Sequence, residues 1–421
     1  MLFADVTFAQ RRTLIAAALG WALDAFDVML YAVVVAYMMR DLHIDKATIG
    51  FLNTLTLLAS GIGGLLFGWI ADRVGRTRAL MLSIATYSIC SFASGLSTSV
   101  QMLAAFRFIL GLGMGGEWNT GATLVAETWP TALRAKAIAI VQSSWAWGYA
   151  AAALVAGFVL QHFHNWRYVF FLGIAPALII LWIRKSVPES EMWEQQNASR
   201  FNQETEGQNA PSIQPKEHAK AIPLPNAHIR NAAVLLLLNF FGLFAWWGLF
   251  TWIPPYLSLP VEQGGRGFSQ LNTTTFLVFL NLAGMFPGYI SFGFVADRIG
   301  RRPAFFIYLF AAAVAVPIYA LARQPWEILV LGAVVAFFGT GFFTGSGIVG
   351  AELFPTRIRA RALGLTYNGA RMLSSIAPYV IGALSLHRGL SGAFPVCAVS
   401  FLLAAFTALL LPETRGKELL P

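Results

Sequence analysis

Five ionisable residues stand in stretches otherwise too apolar to hold them: Asp24, Asp27, Arg107, Glu117 and Arg371. A charge at the centre of a hydrocarbon layer costs about 2.5–3.5 kcal/mol even on a permissive scale, so each one needs a partner, an aqueous cavity or a task. Asp24 and Asp27 are three residues apart, which on a helix places them on one face. Two carboxylates so placed disfavour each other's charge, and such a site takes up a proton. Arg107 is the natural counter-charge: while it pairs with Asp27 the acid stays ionised, and when the pair opens the acid can protonate. The plainer alternative is a permanent Asp27–Arg107 bridge that only fastens two helices. Glu117, near the middle of its stretch, and Asp24 are placed to assist proton binding. Arg371 has no nearby acid in sequence except Glu352 at the end of a stretch, and its planar fork suits a carboxylate ligand. The alternative for Arg371 is a bond to Asp24 or Asp27. All six histidines fall in loops or at stretch ends, so proton chemistry belongs to the carboxylates.

The elements that must hold these charges are apolar helices. The chain of 421 residues is 57% hydrophobic and 12% charged, against about a quarter charged in soluble domains. Stretches near the roughly 20 residues that span a bilayer fall at about 13–39, 47–71, 78–97, 101–127, 135–160 and 166–184, then at about 230–257, 269–296, 303–322, 326–352, 360–386 and 392–411. The expected fold is an all-α membrane protein of twelve transmembrane helices in two six-helix halves. The first stretch holds two acids and no small-residue cleavage site, so it reads as a retained helix and not a signal peptide. Cys90 and Cys397 lie in stretches of opposite halves and read as free thiols.

A net charge of +9 raises the question of nucleic acid, and the distribution of the charge answers it. Of the 29 Lys and Arg residues, 21 fall on the side of the two termini and 6 on the other. This is the positive-inside bias; it places both termini in the cytoplasm and leaves no nucleic-acid partner. The polar stretch 185–229 reads as a cytoplasmic linker between an N-terminal bundle, 1–184, and a C-terminal bundle, 230–421. Its Glu189 to Glu204 part could form a short amphipathic helix, with Pro211, Pro215, Pro223 and Pro225 keeping the rest extended.

The two halves repeat. Gly68-Trp-Ile-Ala-Asp72-Arg73-Val-Gly75-Arg76 returns 225 residues later as Gly293-Phe-Val-Ala-Asp297-Arg298-Ile-Gly300-Arg301. Glu127-Thr-Trp-Pro130 with Arg134 returns as Glu352-Leu-Phe-Pro355 with Arg359, in the same register. Parallel halves related by an axis along the membrane normal place a site between them. Gly68 and Gly293 are expected to permit close helix contact. Asp72, Arg73, Arg76, Glu127 and Arg134, with Asp297, Arg298, Arg301, Glu352 and Arg359, are expected to form a cytoplasmic gate that holds the halves together in one state and breaks in the other.

These motifs resemble the major facilitator superfamily, whose best-known signature is Gly-x-x-x-Asp-Arg-x-Gly-Arg in this loop of both halves. The resemblance covers essentially the whole chain. Pro188-Glu189-Ser190, Pro412-Glu413-Thr414 and Arg107-Phe108 are similar to the sugar porter group. Gly115-Gly116-Glu117-Trp118, Leu23-Asp24-Ala25-Phe26-Asp27 and Thr366-Tyr367-Asn368 resemble the sialate:proton symporter group of bacterial sialic-acid and fungal lactate permeases. The chain departs from the sialic-acid permeases in lacking an extra pair of spans between its halves and in carrying Arg371. Asp27 and Arg107 correspond by motif position to the aspartate and arginine that couple proton binding in proton-driven sugar porters.

The resemblance implies a secondary transporter working by alternating access without a cofactor, as a monomer in a bacterial-type inner membrane. The residues point to proton-coupled symport of a small organic anion, a carboxylate such as a monocarboxylate or sialic acid. Asp27 is then the proton carrier and Arg371 the carboxylate clamp. Asn119, Gln142, Tyr367, Asn368 and Trp246 are further substrate contacts, although a lone amide is as readily interhelical glue. Trp145, Trp147, Tyr149 and Trp247 could line an apolar wall or simply pack. A neutral sugar:proton symporter is the alternative, with a drug/proton antiporter behind it. An enzyme is disfavoured, because the spans carry no Gly-x-Ser-x-Gly, histidine pair or cysteine cluster.

Overall fold

In hydrocarbon every backbone N–H and C=O must be bonded within the chain, and helices satisfy this segment by segment. A computed structural model describes residues 6–190, 193–194 and 226–416, with the backbone alone at 118–119, 126, 131–132, 134–135, 226–227 and 356–361. Most of the expected linker, with its amphipathic helix, lies outside the described residues. The first half runs α1 (Phe8–Asp41), α2 (Lys46–Val74), α3 (Arg76–Gly95), α4 (Val100–Thr128), α5 (Thr131–Phe163) and α6 (Trp166–Ser186). The second runs α7 (His228–Ser258), α8 (Gln270–Ile299), α9 (Arg301–Leu321) and α10 (Pro325–Leu353). Helix α11 starts as Thr356–Ser374 and continues over 377–388; Gly389, at φ 67°, turns the chain into α12, 390–408.

Among the described residues, eight helices qualify as membrane spans on length and apolarity alone, or nine with one bent pair. Helix α4 falls short because it contains Arg107 and Glu117, yet these are 0% and 1% exposed. The charges that disguise the span point into the protein, so the span is real. Helix α3 falls short through its two arginines and its many serines and small residues.

Prolines break four spans near their middle or outer thirds, because proline cannot donate to the helix ladder and crowds the preceding turn. Helix α6 passes through a tight turn at Leu172–Ile174 before Pro176. Helix α7 breaks ahead of Pro254 and Pro255, and the Phe250 carbonyl that Pro254 cannot satisfy accepts the Tyr149 hydroxyl at 3.4 Å. Helix α8 widens into a π-turn over Leu280–Met285 before Pro287, and α11 interrupts at 375–376 before Pro378.

The repeated loop motif has a capping role that its sequence leaves unstated. Gly75 and Gly300 take φ of 107° and 102°, a region open to glycine, and neither caps the helix it precedes with a side chain. The cap comes from the chain about 112 residues onward. Glu189 accepts the backbone N–H of Arg76 (2.8 Å) and Thr77 (3.1 Å). Glu413 accepts those of Arg301 (2.9 Å) and Arg302 (3.1 Å). A carboxylate at a helix N-terminus satisfies orphan donors and the dipole together.

The halves are pressed together at the mouth opposite the termini. Lys46 donates to the Gln263 carbonyl (2.5 Å), Asn53 to the Thr251 hydroxyl (2.9 Å), and Thr274 to the Ala153 carbonyl (3.5 Å). A Cβ at Gly50 would meet the Pro378 backbone, and one at Gly382 the Lys46 carbonyl. Toward the termini the same helix faces part. On α2, Gly61 packs on Met372 of α11, but Leu65, one turn on, is 64% exposed, as is Leu365 on the matching face of α11. Gly68 and Gly293 have no atom within 4 Å of an added Cβ. The close contact expected of these two glycines is therefore absent in this conformation, because they face the opened mouth.

Candidate functional site

Asp24, Asp27, Glu117, Arg107 and Arg371 are all buried, at 3% exposure or less. Helix α1 lies against α5, where Gly148 abuts the Ala22 backbone and Ser144 donates to the Ala18 carbonyl at 2.7 Å. It also lies against α4, where the Glu117 carboxylate fills the space over Gly20. Arg371 occupies the last turn of the first piece of α11, where the helix dipole favours a cation. From there its charge acts on both Asp24 and Glu117 across the division between the halves.

These charges are near one another but unpaired. Both carboxylate oxygens of Asp24 and of Glu117, and Arg371 Nε and Nη2, have no hydrogen-bond partner among the described residues. The alternative bond from Arg371 to Asp24 or Asp27 does not form. Nor does the Asp27–Arg107 bridge: Asp27 Oδ1 accepts from Ser91 (3.0 Å), and Oδ2 and all three Arg107 nitrogens lack partners among the described residues. Arg107 instead lies over the Tyr31 ring at 4.5 Å, and the Tyr31 hydroxyl is fixed on the Ile49 carbonyl at 2.7 Å. Gly173 in the turn of α6 leaves room for the Ser91–Asp27 contact, since a Cβ there would sit 2.8 Å from Asp27 Oδ1 and closer still to the Ser91 hydroxyl.

Around the central charges is an aromatic wall drawn from both halves. Trp21 packs on Trp145 at 4.8 Å; Trp145 meets Trp246 and Trp247, each at 6.0 Å; Trp246 meets Phe343 at 5.5 Å. The indole N–H groups of Trp145 and Trp246 have no acceptor among the described residues. Trp147, by contrast, is 54% exposed and packs on Phe286, so it belongs to the outer surface of α5. Gln142 reaches from α5 to the Tyr289 hydroxyl on α8, close to Tyr367, whose surroundings include Arg371. Asn368 is buried, and the side chain of Asn119 lies outside the described residues. Asn239 is interhelical glue, holding the Thr366 carbonyl at 3.3 Å and the Ser346 hydroxyl. Asn281 sits in the π-turn of α8 and donates to the Leu277 carbonyl at 2.8 Å.

The repeated charges at the terminal mouth work within each half. Arg76 bonds Asp72 (2.6 Å) and Glu127 (3.1 Å), tying α2 to α4. Arg301 bonds Asp297 and Glu352, each at 2.8 Å, tying α8 to α10. Arg73 lies over Trp69 at 3.9 Å and Arg298 is exposed. The side chains of Arg134 and Arg359 lie outside the described residues. The expected bridging of the halves by these ion pairs is not seen in the conformation described, where the mouth is open.

Sequence reasoning passed over Tyr87, Ser91, Tyr289 and Trp21. A signal for the first two was present, as a tyrosine and a serine four residues apart in a span.

The family model of the Major Facilitator Superfamily matches residues 17–291 and 265–421. A probable 4-methylmuconolactone transporter of Cupriavidus pinatubonensis is 34% identical over 97% of this chain and 91% of its own length. The sialic acid transporter NanX of Escherichia coli is 31% identical over 95% and 93%. Among solved structures, a D-xylose-proton symporter superposes with a TM-score of 0.77 at 19% identity, covering 98% of this chain and all of that one. That likeness establishes the twelve-helix architecture. With matching repeats, a shared fold and full-length relatives named as transporters, the chain belongs to the major facilitator superfamily and is a multi-pass membrane transporter.

Proposed function

We propose that the protein is a proton-coupled symporter of a small organic anion, with its termini in the cytoplasm of a bacterial inner-membrane host. The bundles 1–184 and 230–421 rock about the midplane as a monomer, joined by 185–229. The observation that carries the reading is Arg371, 3% exposed with two nitrogens unpartnered among the described residues. A buried guanidinium left without an acceptor costs more than a bonded one, so a site that keeps it is built for an anion that completes it. A carboxylate matches the fork with two oxygens. The tryptophan wall favours a flat, conjugated acid, whose ring faces pack on indole while a second oxygen accepts from Trp145 or Trp246. Gln142, Tyr367, Asn368 and Asn119 complete the polar rim. One relative is named for sialic acid, a carboxylic acid, and another for 4-methylmuconolactone, which supports this reading.

Protonation falls to Asp27, with Asp24 and Glu117 assisting. Asp27 parted from Arg107 is the arrangement in which a carboxyl holds a proton, and re-pairing expels it. Because a bound carboxylate and Asp24 or Glu117 compete for the charge of Arg371, substrate and proton bind with positive coupling, which is symport. Closing the terminal mouth brings Gly68 and Gly293 against the facing half, with the Asp72, Arg73, Arg76, Glu127, Arg134 cluster and its repeat at the seam.

The test is substrate-induced proton flux in proteoliposomes holding a pH-sensitive dye, with nicotinate, benzoate, cis,cis-muconate, lactate, N-acetylneuraminate and neutral sugars. Acidification of the lumen on adding an acid, lost in Asp27→Asn and in Arg371→Gln, is the expected result. A response to neutral sugars alone overturns the reading.

A further inference from the structure

Two groups of acids lie at different depths. Glu117 and Asp24 face Arg371 at the centre, whereas Asp27 is held by Ser91 and Gly173 nearer the far mouth. Nothing described so far conducts a proton between them. Tyr87 on α3 lies at a level between them, its backbone against Gly113 of α4 and one turn from the Ser91 that bonds Asp27. It is 0% exposed, and its hydroxyl has no hydrogen-bond partner among the described residues. The charges acting on it are those of Glu117, Asp24 and Asp27.

The backbone sets this position. Helix α3 lies tightly on α4 at Gly113, where a Cβ would come within 2.8 Å of the Tyr87 nitrogen and 3.0 Å of the Ser83 carbonyl. The Ser83 hydroxyl bonds the Gly113 carbonyl at 2.7 Å. Glu117 is one turn along α4 from Gly113, and Ser91 is one turn along α3 from Tyr87, roughly 6 Å farther out at 1.5 Å per residue. The Ser91 hydroxyl is already on Asp27.

We propose that the Tyr87 hydroxyl is the proton relay between Asp27 and the central acids Glu117 and Asp24, with Ser91 holding Asp27 in reach. This rests on the proton-coupled reading above. In the transfer the protonated Asp27 gives its proton to the phenol oxygen while the phenol O–H gives its own to a carboxylate of Glu117 or Asp24. One O–H bond forms and one breaks at Tyr87, which ends neutral, and Asp27 is left as the anion. Arg107, over Tyr31, is the cation that then meets it.

Tyr87→Phe removes the hydroxyl and keeps the ring that packs against α4. In proteoliposomes, an acid that the wild type carries with protons is followed in two assays. Gradient-driven uptake and substrate-induced proton flux should fall more than tenfold, while exchange of labelled for unlabelled acid at equal pH should stay within about twofold. Ser91→Ala should lower the coupled rate in the same direction, by less. Coupled flux at the wild-type rate in Tyr87→Phe overturns the relay, and so does an equal loss of exchange, which marks a structural role. A wild type that carries the acid without protons overturns the parent reading, whatever the variant does.

Discussion

Replacing Arg371 tests whether the buried fork is a substrate clamp or only a structural charge. Its Nε and Nη2 are free of protein partners among the described residues, so a bound carboxylate can take both. Hydrogen bonds to charged groups contribute about 1.5–3 kcal/mol each, and two that share one guanidinium are not fully additive. A loss of about 3–4 kcal/mol in Arg371→Gln therefore corresponds to roughly 100- to 1000-fold weaker binding, at about 1.4 kcal/mol per tenfold. Arg371→Lys keeps the charge but offers a point donor in place of the fork. It should lose about one bond, or roughly tenfold. Equilibrium binding of the acid to purified protein measures both, with thermal unfolding alongside to confirm that each variant is folded. Binding within threefold of wild type in Arg371→Gln, or equal losses in the two variants, would refute the clamp.

Three further outcomes are expected. A Cβ added at Gly68 or Gly293 has no atom within 4 Å in the conformation described, so the melting temperatures of Gly68→Leu and Gly293→Leu should match wild type while net transport and exchange are lost because the mouth cannot close; normal turnover would show that these faces never meet. Asn53→Ala removes a buried bond to Thr251 between the halves, worth about 1 kcal/mol, and should raise the population open at the far mouth about fivefold by spin-label distances; unchanged distances would remove Asn53 from the seal. Burial pushes the Glu413 carboxyl up, but the N–H groups of Arg301, Arg415, Arg302 and Thr414 outweigh it and hold the group below its usual value. A lowered native value contributes stability above the unfolded value of about 4.3 that is lost as pH falls through the native one. Glu413→Gln should therefore cost about 1–2 kcal/mol at neutral pH, and its thermal shift relative to wild type should shrink in acid.

Much of the architecture was legible in the chain. Hydrocarbon admits only helices here, so apolar length gives most of the spans, with α3 and α4 obscured by their polar and charged residues, and two motifs repeating in one register give the halves. The buried charges could also be named, because a charge in such a stretch has few structural excuses. The ends of spans were less legible: prolines at 176, 254, 255, 287 and 378 break helices in ways that composition does not time. The role of Glu189 and Glu413 as caps for helices that start 112 or 113 residues earlier could not be read from any local pattern.

What sequence alone determined is which residues must be accommodated: five charges in apolar helices, a repeated basic loop and an excess of aromatic rings. Only the tertiary structure decided which of them meet. Asp27 bonds Ser91 and not Arg107, Arg371 lies among Asp24 and Glu117 without bonding either, and Tyr87 lies at a level between the acids. The physical reason is that a charge inside a bilayer protein is constrained to find a polar environment, and the sequence records that need. Which neighbour meets the need depends on how closely helices far apart in sequence approach, and that distance is set by packing at residues such as Gly20, Gly113 and Gly173.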